Sequence, residues 1–243
     1  MKAIKNFIRF FINPQVISCL LKKQPVSLSS FRNVENLKKY FKEINTILDV
    51  GANKGQFALA ASCYYPNSNI YSFEPSELTY QHLLKNMGAK KNIKLFNFGL
   101  GDINGELEFY ENSFDQISSF SKINFKNNNT IYKKSKILVG KALIKKLDDI
   151  FNSLNIEYPI LLKLDVQGLE DKVLKGALKT LKNIDYILLE LAFEKLYEDQ
   201  LLFHDMNRYL NALGYNLIAP VGFNYGDDNR IIEIDALFKR IEK

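Results

Sequence analysis

Asp49, Gly51, Gly55 and Glu74 carry the first chemical signal in the chain. In TILDVGANKGQF (46–57) an apolar run ends in an acid, and two glycines four positions apart follow. A strand, a glycine loop and then a helix (QFALAASCYY) build the crevice in which open α/β sheets hold ligands, beyond the carboxyl ends of the strands. Glycine lets the main chain turn sharply and come close to a ligand. A helix starting near Gly55 would offer free N–H groups to a carboxylate or phosphate. The spacing G-x-x-x-G matches neither G-x-G-x-x-G nor G-x-x-x-x-G-K-[ST], which speaks against a dinucleotide or a nucleoside triphosphate. Glu74, in YSFEP, closes the next predicted strand 19 residues after Gly55. Nucleoside-binding sheets place an acid there to accept hydrogen bonds from both ribose hydroxyls. The four residues together predict a nucleoside ligand with a small charged group near the glycine loop.

The elements that must position them follow from hydrophobic patterning. Short β-rich runs at 46–50, 69–73, 92–98, 160–166 and 186–192 alternate with helical stretches that include 55–65, 77–88, 168–182 and 200–213. This is the α/β plan of a doubly wound, mostly parallel sheet. YNLIAPV (215–221) and RIIEIDALF (230–238) flank GFNYGDDN and predict a closing antiparallel hairpin. Residues 1–45 form an N-terminal helical extension, and 46–243 the main domain, with an insertion or lid at about 103–146. Within it GELEFY (105–110) alternates like a strand, and the Asn/Lys-rich 124–136 is expected to be a mobile loop.

At 243 residues the chain suits one α/β domain. Hydrophobic residues at 47% and charged residues at 25% exclude global disorder and a membrane bundle. A net charge of +6 is too modest for a nucleic-acid binder and suits a phosphorylated substrate or an anionic surface equally. Ile4, Phe7, Ile8, Phe11 and Ile12 share one face of a basic helix expected to cover its own domain or a partner, with a peripheral membrane contact through residues 1–13 as the alternative. Cys19 and Cys63 lack metal spacing and are expected as buried thiols in a reducing, cytoplasmic compartment. No metal site is expected.

ILDVGANKGQF, FEP, GLGDINGELEF, KKLDDI, LLKLDVQGLEDKVLKGA and ILLELAFEKLY resemble, in order, the segments of the FkbM-type methyltransferases, a class I S-adenosylmethionine (SAM)-dependent family. The resemblance covers roughly Thr46 to Val221. It implies a seven-stranded Rossmann-like sheet with a reversed final hairpin, SAM as cofactor, and O-methylation of a hydroxyl on a small-molecule or glycan acceptor. It places Asp49, Gly51, Ala52, Asn53 and Gly55 around the methionine part of SAM, Glu74 on the ribose and Pro75 on the adenine side. Gly99 and Leu100 stand where many class I enzymes carry an adenine-contacting acid. The family's D-x-E-G-x-E here runs Asp165, Val166, Gln167, Gly168, Leu169, Glu170, so an amide replaces one carboxylate. That weakens any metal held by paired carboxylates.

Methyl transfer to a hydroxyl asks mainly for alignment and exclusion of water, with a base to take the proton. Asp165 is the first candidate for that base, or for orienting the hydroxyl; capping the helix near Gly168 is its structural alternative. Glu190, late in an apolar run, is either half-buried with a raised pKa or solvent-facing. His204 would line an acceptor pocket or pack at the surface, whereas His82 is expected to be structural. Ser118 and Ser119 would close the site or form a turn. Lys122, Lys126, Lys133, Lys134 and Lys136 would attract a phosphate or form a solvated loop. The competing functional classes are a nicotinamide-dependent oxidoreductase and a non-catalytic member of the methyltransferase fold.

Overall fold

A computed structural model describes residues 14–112, 118–119, 137–195, 200–226 and 228–241. Helices α1 (Pro14–Leu21) and α2 (Leu28–Leu37) precede β1 (Thr46–Val50), α3 (Gln56–Tyr64), β2 (Asn69–Phe73), α4 (Glu77–Met87) and β3 (Ile93–Phe96). There follow β4 (Gly99–Leu100), β5 (Gly105–Asn112), β6 (Ser118–Ser119), β7 (Ile137–Lys145), α5 (Leu147–Ile150), β8 (Ile160–Leu164) and α6 (Glu170–Lys175). The chain closes with β9 (Tyr186–Ala192), α7 (Phe203–Ala212), β10 (Tyr215–Tyr225) and β11 (Ile231–Arg240).

Seven strands form the main sheet in the order β10-β11-β9-β8-β1-β2-β3, with β11 antiparallel to both neighbours and the other pairings parallel. The expected doubly wound sheet with a reversed hairpin is thus the architecture. Strand order reverses at β1, whose neighbours are β2 and β8, so the crevice opens where these three strands end.

Side-chain alternation splits the core in two. Leu48, Val50, Tyr71, Phe73, Leu162 and Leu164 pack on one face, and Ile47, Ile70, Leu161 and Leu188 on the other. A strand's period of two then sends Asp49, Ser72, Lys163 and Glu190 to the second face. They are its polar rim at the carboxyl ends. Helix α2 covers this face with Phe31, Val34 and Leu37, all buried. Ser27 caps α2 by accepting from the Ser30 N–H, and Ser76 caps α4 by accepting from Thr79.

Three elements differ from expectation. The segment 137–145 is a strand: β7 pairs over Ile137–Ile144 with β5 in a second sheet of order β4-β7-β5-β6. Its ladder partner lies far back in the sequence, so local pattern did not reveal it. The helix expected over 168–182 is confined to α6 and a 3₁₀ turn at Thr180–Asn183. Gly176 ends α6, and a Cβ there would sit 1.8 Å from the Gly101 carbonyl oxygen. The closing turn starts four residues later than GFNYGDDN suggested, because β10 runs on to Tyr225 and Gly226 N–H donates to the Arg230 carbonyl at 2.8 Å. The amphipathic residues 1–13 and Lys122, Lys126, Lys133, Lys134 and Lys136 lie outside the described residues. Among the described residues, no helix is long and apolar enough to cross a membrane.

Candidate active site

A cavity of about 560 Å³ opens at the mouths of β1, β2 and β8. That volume lies within the ~300–1,000 Å³ of small-molecule sites. Gly51, Ala52, Asn53, Glu74 and Thr79 line one side; Lys163, Asp165, Val166, Gln167 and Glu190 line the other. Val26, Ser27, Ser29 and Ser30, at the start of α2, complete its wall.

The loop after β1 is held in an unusual conformation. Gly51, Asn53 and Gly55 have φ of 75°, 49° and 92°, all in the left-handed region. Gly51 and Ala52 both donate to the Phe73 carbonyl, and Lys54 N–H turns back to Asn53 Oδ1 at 2.8 Å. The missing side chains of the two glycines serve packing: a Cβ on Gly51 would lie 1.9 Å from the Asp165 carbonyl oxygen, and one on Gly55 2.7 Å from Met87 Cγ. Gly51 shows the cavity its backbone, whereas Gly55 stands behind, between α3 and α4.

Glu74 is buried, and its carboxylate accepts the Asn53 N–H at 2.8 Å and the Ser76 N–H at 3.0 Å. A carboxylate has about four lone-pair positions. Two are taken by these amides, which leaves acceptor capacity on a residue that lines the cavity. Burial pushes the Glu74 carboxyl up to about 7, against the pull of the two N–H groups.

Asp49, expected beside the ligand, is fully buried and off the cavity wall. Its Oδ1 lies 3.1 Å from Lys163 Nζ, and Ser72 donates its hydroxyl to Oδ2 at 3.4 Å. Lys163, which the sequence reading did not single out, is 7% exposed and lines the cavity. Its ammonium is also 3.4 Å from Asp165 Oδ2 and donates to the Gly51 carbonyl at 3.1 Å. Burial works to push the lysine down, but Asp49 and Asp165 more than reverse this and hold it above its ordinary value. Burial pushes the Asp49 carboxyl upward while Lys163 opposes it. The ammonium, flanked by two carboxylates and a carbonyl, stays charged.

Asp165 and Glu190 face the cavity together. Asp165 extends the β8 ladder by donating its N–H to the Val50 carbonyl at 3.1 Å. It does not cap the next helix: the position before α6 is Leu169, without a side-chain cap. The loop there is held instead by Glu170, buried, whose Oε1 accepts from Val166 at 3.2 Å and Gly168 at 3.3 Å. Gln167 occupies a left-handed position, φ 58°, on the cavity wall. Glu190 takes the half-buried alternative. Burial first, then Asp165, Glu233 and Asp235, push its carboxyl well above the usual range. Asn224 Nδ2 bridges Glu190 Oε1 at 3.0 Å and Glu233 Oε2 at 3.3 Å. Asp235, the register partner of Glu190 on β11, accepts from Asn33 Nδ2 at 2.7 Å, and burial lifts it to about 6. The acids of β11 were missed because their neighbours come from β9, β10 and α2.

The remaining candidates stand elsewhere. His204 is exposed on α7 with Nε2 2.6 Å from Arg208 Nη2, and His82 is exposed on α4; neither lines the cavity. Gly99 packs against Pro75, a Cβ there falling 3.3 Å from Pro75 Cβ, and Leu100 is buried in the core. These three also lie off the cavity lining. Ser118 and Ser119 form β6, paired with Glu111 and Tyr110. Cys19 and Cys63 are both thiols, with Sγ atoms 3.7 Å apart.

The model of the methyltransferase FkbM domain matches residues 49–217, more than half of the chain and all of the cavity except the α2 wall. The chain belongs to this family. It is a methyltransferase, and the nicotinamide alternative is set aside. It is 29% identical over 188 residues to the 2-O-methyltransferase NoeI of Sinorhizobium fredii, covering 74% of this chain and 76% of that one. It is 27% identical over 150 residues to the hexuronic acid methyltransferase AglP of Haloferax volcanii, covering 61% of this chain and 56% of the relative. Among solved structures, the fibrillarin of Aeropyrum pernix is similar with a TM-score of 0.49 and 16% identity, over 86% of this chain and 76% of that one.

Proposed function

We propose that this methyltransferase transfers a methyl group from SAM to a sugar hydroxyl, in a surface glycan or a precursor of one. One observation carries the reading: a single cavity has the Glu74 carboxylate, pre-set by two amides, on one side and the Asp165 and Glu190 carboxylates on the other. A nucleoside cofactor suits the first side, and a hydroxylated acceptor that must be oriented and relieved of a proton suits the second. The relatives NoeI, a 2-O-methyltransferase, and AglP, a hexuronic acid methyltransferase, support a sugar acceptor.

The residues divide the work accordingly. Glu74 would accept the ribose hydroxyls, while the backbone of Gly51, Ala52 and Asn53 would border the methionine end. SAM, when bound, supplies an electrophilic methyl group. Asp165 would orient the acceptor hydroxyl and take up its proton, and Glu190, whose carboxyl is held well above the usual range beside Asp165, would share in holding it. Ser27, Ser29, Ser30 and Gln167 would give a polyhydroxylated acceptor polar partners.

The test is to incubate the purified protein with methyl-labelled SAM and a panel of mono- and oligosaccharides, nucleotide sugars and glycolipid extracts, following label and S-adenosylhomocysteine. Alkali-stable label on a sugar together with stoichiometric S-adenosylhomocysteine is the expected result. Label confined to protein, nucleic acid or carboxyl esters would overturn it.

A further inference from the structure

Among the described residues that line the cavity, Lys163 is the one cation. Its ammonium has three N–H donors, and three oxygens surround it: Asp49 Oδ1 at 3.1 Å, Asp165 Oδ2 at 3.4 Å and the Gly51 carbonyl at 3.1 Å. The first two contacts are ion pairs and the third is a hydrogen bond. All three oxygens come from the protein itself, so the ammonium is held at the cavity wall by its own chain.

Each of the three oxygens belongs to a different part of the machinery. Asp49 is a fully buried anchor in β1, and the register partner of Lys163. Gly51 opens the loop whose Asn53 N–H is bound to Glu74. Asp165 is the acceptor-side acid, 45% of its side chain exposed. Gly51 and Asp165 also touch through their backbones, since even a Cβ on the glycine would fall 1.9 Å from the Asp165 carbonyl oxygen. Neutralising Asp49 would require only one of the three contacts.

We propose that Lys163 is the positioning residue of the site, tying the Gly51 carbonyl and the Asp165 carboxylate to one buried charge so that cofactor loop and acceptor-side acid keep a fixed separation. Its buried aliphatic stem, with Nζ 5.5 Å from the centre of the Phe57 ring, leaves the ammonium little room to move. Releasing Lys163 frees the Gly51 carbonyl, and the displacement passes through Asn53 to Glu74. The inference rests on the SAM-dependent reading of the cavity.

Lys163→Met alone would strand the buried Asp49 carboxylate without its partner, a large destabilisation. The informative protein is therefore Asp49→Asn/Lys163→Met, which removes both charges at nearly constant volume. Calorimetric SAM titration and thermal melting are run on wild type, Lys163→Met and the double variant. If Lys163 positions the site, the double variant recovers the melting temperature lost by Lys163→Met yet binds SAM about 10- to 100-fold more weakly than wild type, the range expected for losing a charge-assisted contact. If the double variant recovers melting temperature and wild-type affinity together, Lys163 only balances Asp49 and the inference falls. A wild type that binds no SAM would overturn the cofactor reading first, and so is told apart. Should the double variant not fold, wild type labelled with ¹⁵N-lysine decides. A Lys163 Nζ signal protected from solvent exchange and shifted by SAM is expected; exchange as fast as that of exposed lysines, or no response to SAM, would overturn the proposal.

Discussion

The Asn53 backbone N–H points across the gap between β1 and β2 and donates to Glu74 Oε2 at 2.8 Å. The glycine loop and Glu74 are therefore one unit before any ligand arrives. Such pre-organisation lowers the ordering cost of binding.

Glu74→Gln should weaken SAM strongly. The amide keeps the shape but offers fewer acceptors, and its NH₂ group would oppose either the Asn53 N–H or the Ser76 N–H. An affinity loss of about 10- to 100-fold is expected, from the loss of hydrogen bonds to a charged group, with a lowered melting temperature from the one backbone N–H left without its acceptor. Calorimetry with equal affinity for both proteins would refute the ribose assignment.

The same carboxylate predicts a pH dependence. Its ordinary value is near 4.5 and burial lifts it to about 7, so the folded protein without ligand holds this proton more tightly than the unfolded chain. Its contribution to stability is thus full below about pH 4.5 and fades as pH rises through about 7. Glu170, at about 7, and Asp235, at about 6, act in the same direction. On the proposed reading, in which the ionised Glu74 accepts the ribose hydroxyls, SAM binding should run the other way. Affinity at pH 5.5 should be roughly 10- to 30-fold below that at pH 8, by proton linkage. A pH-independent dissociation constant would argue against Glu74 as the group involved.

Asp165→Asn should leave SAM affinity within about threefold of wild type while slowing methyl transfer by the ~10²–10⁴-fold typical of a lost general base. Glu190→Gln should slow turnover less and move the pH–rate profile, because the replaced carboxyl is the one held well above its usual range. Steady-state rates of S-adenosylhomocysteine release across pH measure both. An Asp165→Asn enzyme of normal turnover would remove Asp165 from the chemistry.

Gly51→Ala should be far more damaging than Gly55→Ala. Both have positive φ, but a Cβ at Gly51 meets a backbone oxygen of Asp165 at 1.9 Å, whereas at Gly55 it meets the flexible Met87 side chain at 2.7 Å. Left-handed strain and overpacking together suggest a loss of roughly 2–5 kcal/mol for Gly51→Ala. Urea unfolding of the two variants tests the order, and equal midpoints would contradict it.

Asn33→Leu should loosen the N-terminal extension from the sheet. It removes the amide that donates to the half-buried Asp235 carboxylate at 2.7 Å, while the Asn36 hydrogen bond to the Val221 carbonyl at 2.8 Å remains. The expected cost is about 1 kcal/mol, from leaving a half-buried acceptor unsatisfied. Hydrogen exchange localised to α2 and β11 would register it; unchanged protection there would show that the extension is held by its apolar contacts alone.

Much of this protein is legible in residue order. TILDV, NIYSF and YILLELA are short, strongly apolar or β-branched runs bounded by turn residues, and they became β1, β2 and β9. The glycine loop and Glu74 could be placed because both sit immediately after strands, where the backbone path is set locally. Asp165 and Glu190 were found by the same logic, as acids at the ends of apolar strands. β7 escaped because its pairing with β5 is not local, and the 168–182 helix was overdrawn because Gly176 breaks it against Gly101.

Lys163 escaped for a more instructive reason. Nothing within ILLKLDV distinguishes a lysine that snorkels to solvent from one locked beneath a cavity. Its environment is settled by the register that sets Lys163 beside Asp49 on β1, more than a hundred residues earlier, and by the turn that brings the Gly51 carbonyl over both. The Asp235 and Asn33 contact and the serine wall of α2 are of the same kind. Strand identity and loop chemistry are written in neighbouring residues, because alternation and backbone dihedrals are local properties. Which charges meet is decided by the order and register of non-consecutive strands, and that information exists only once the sheet has closed around its two cores.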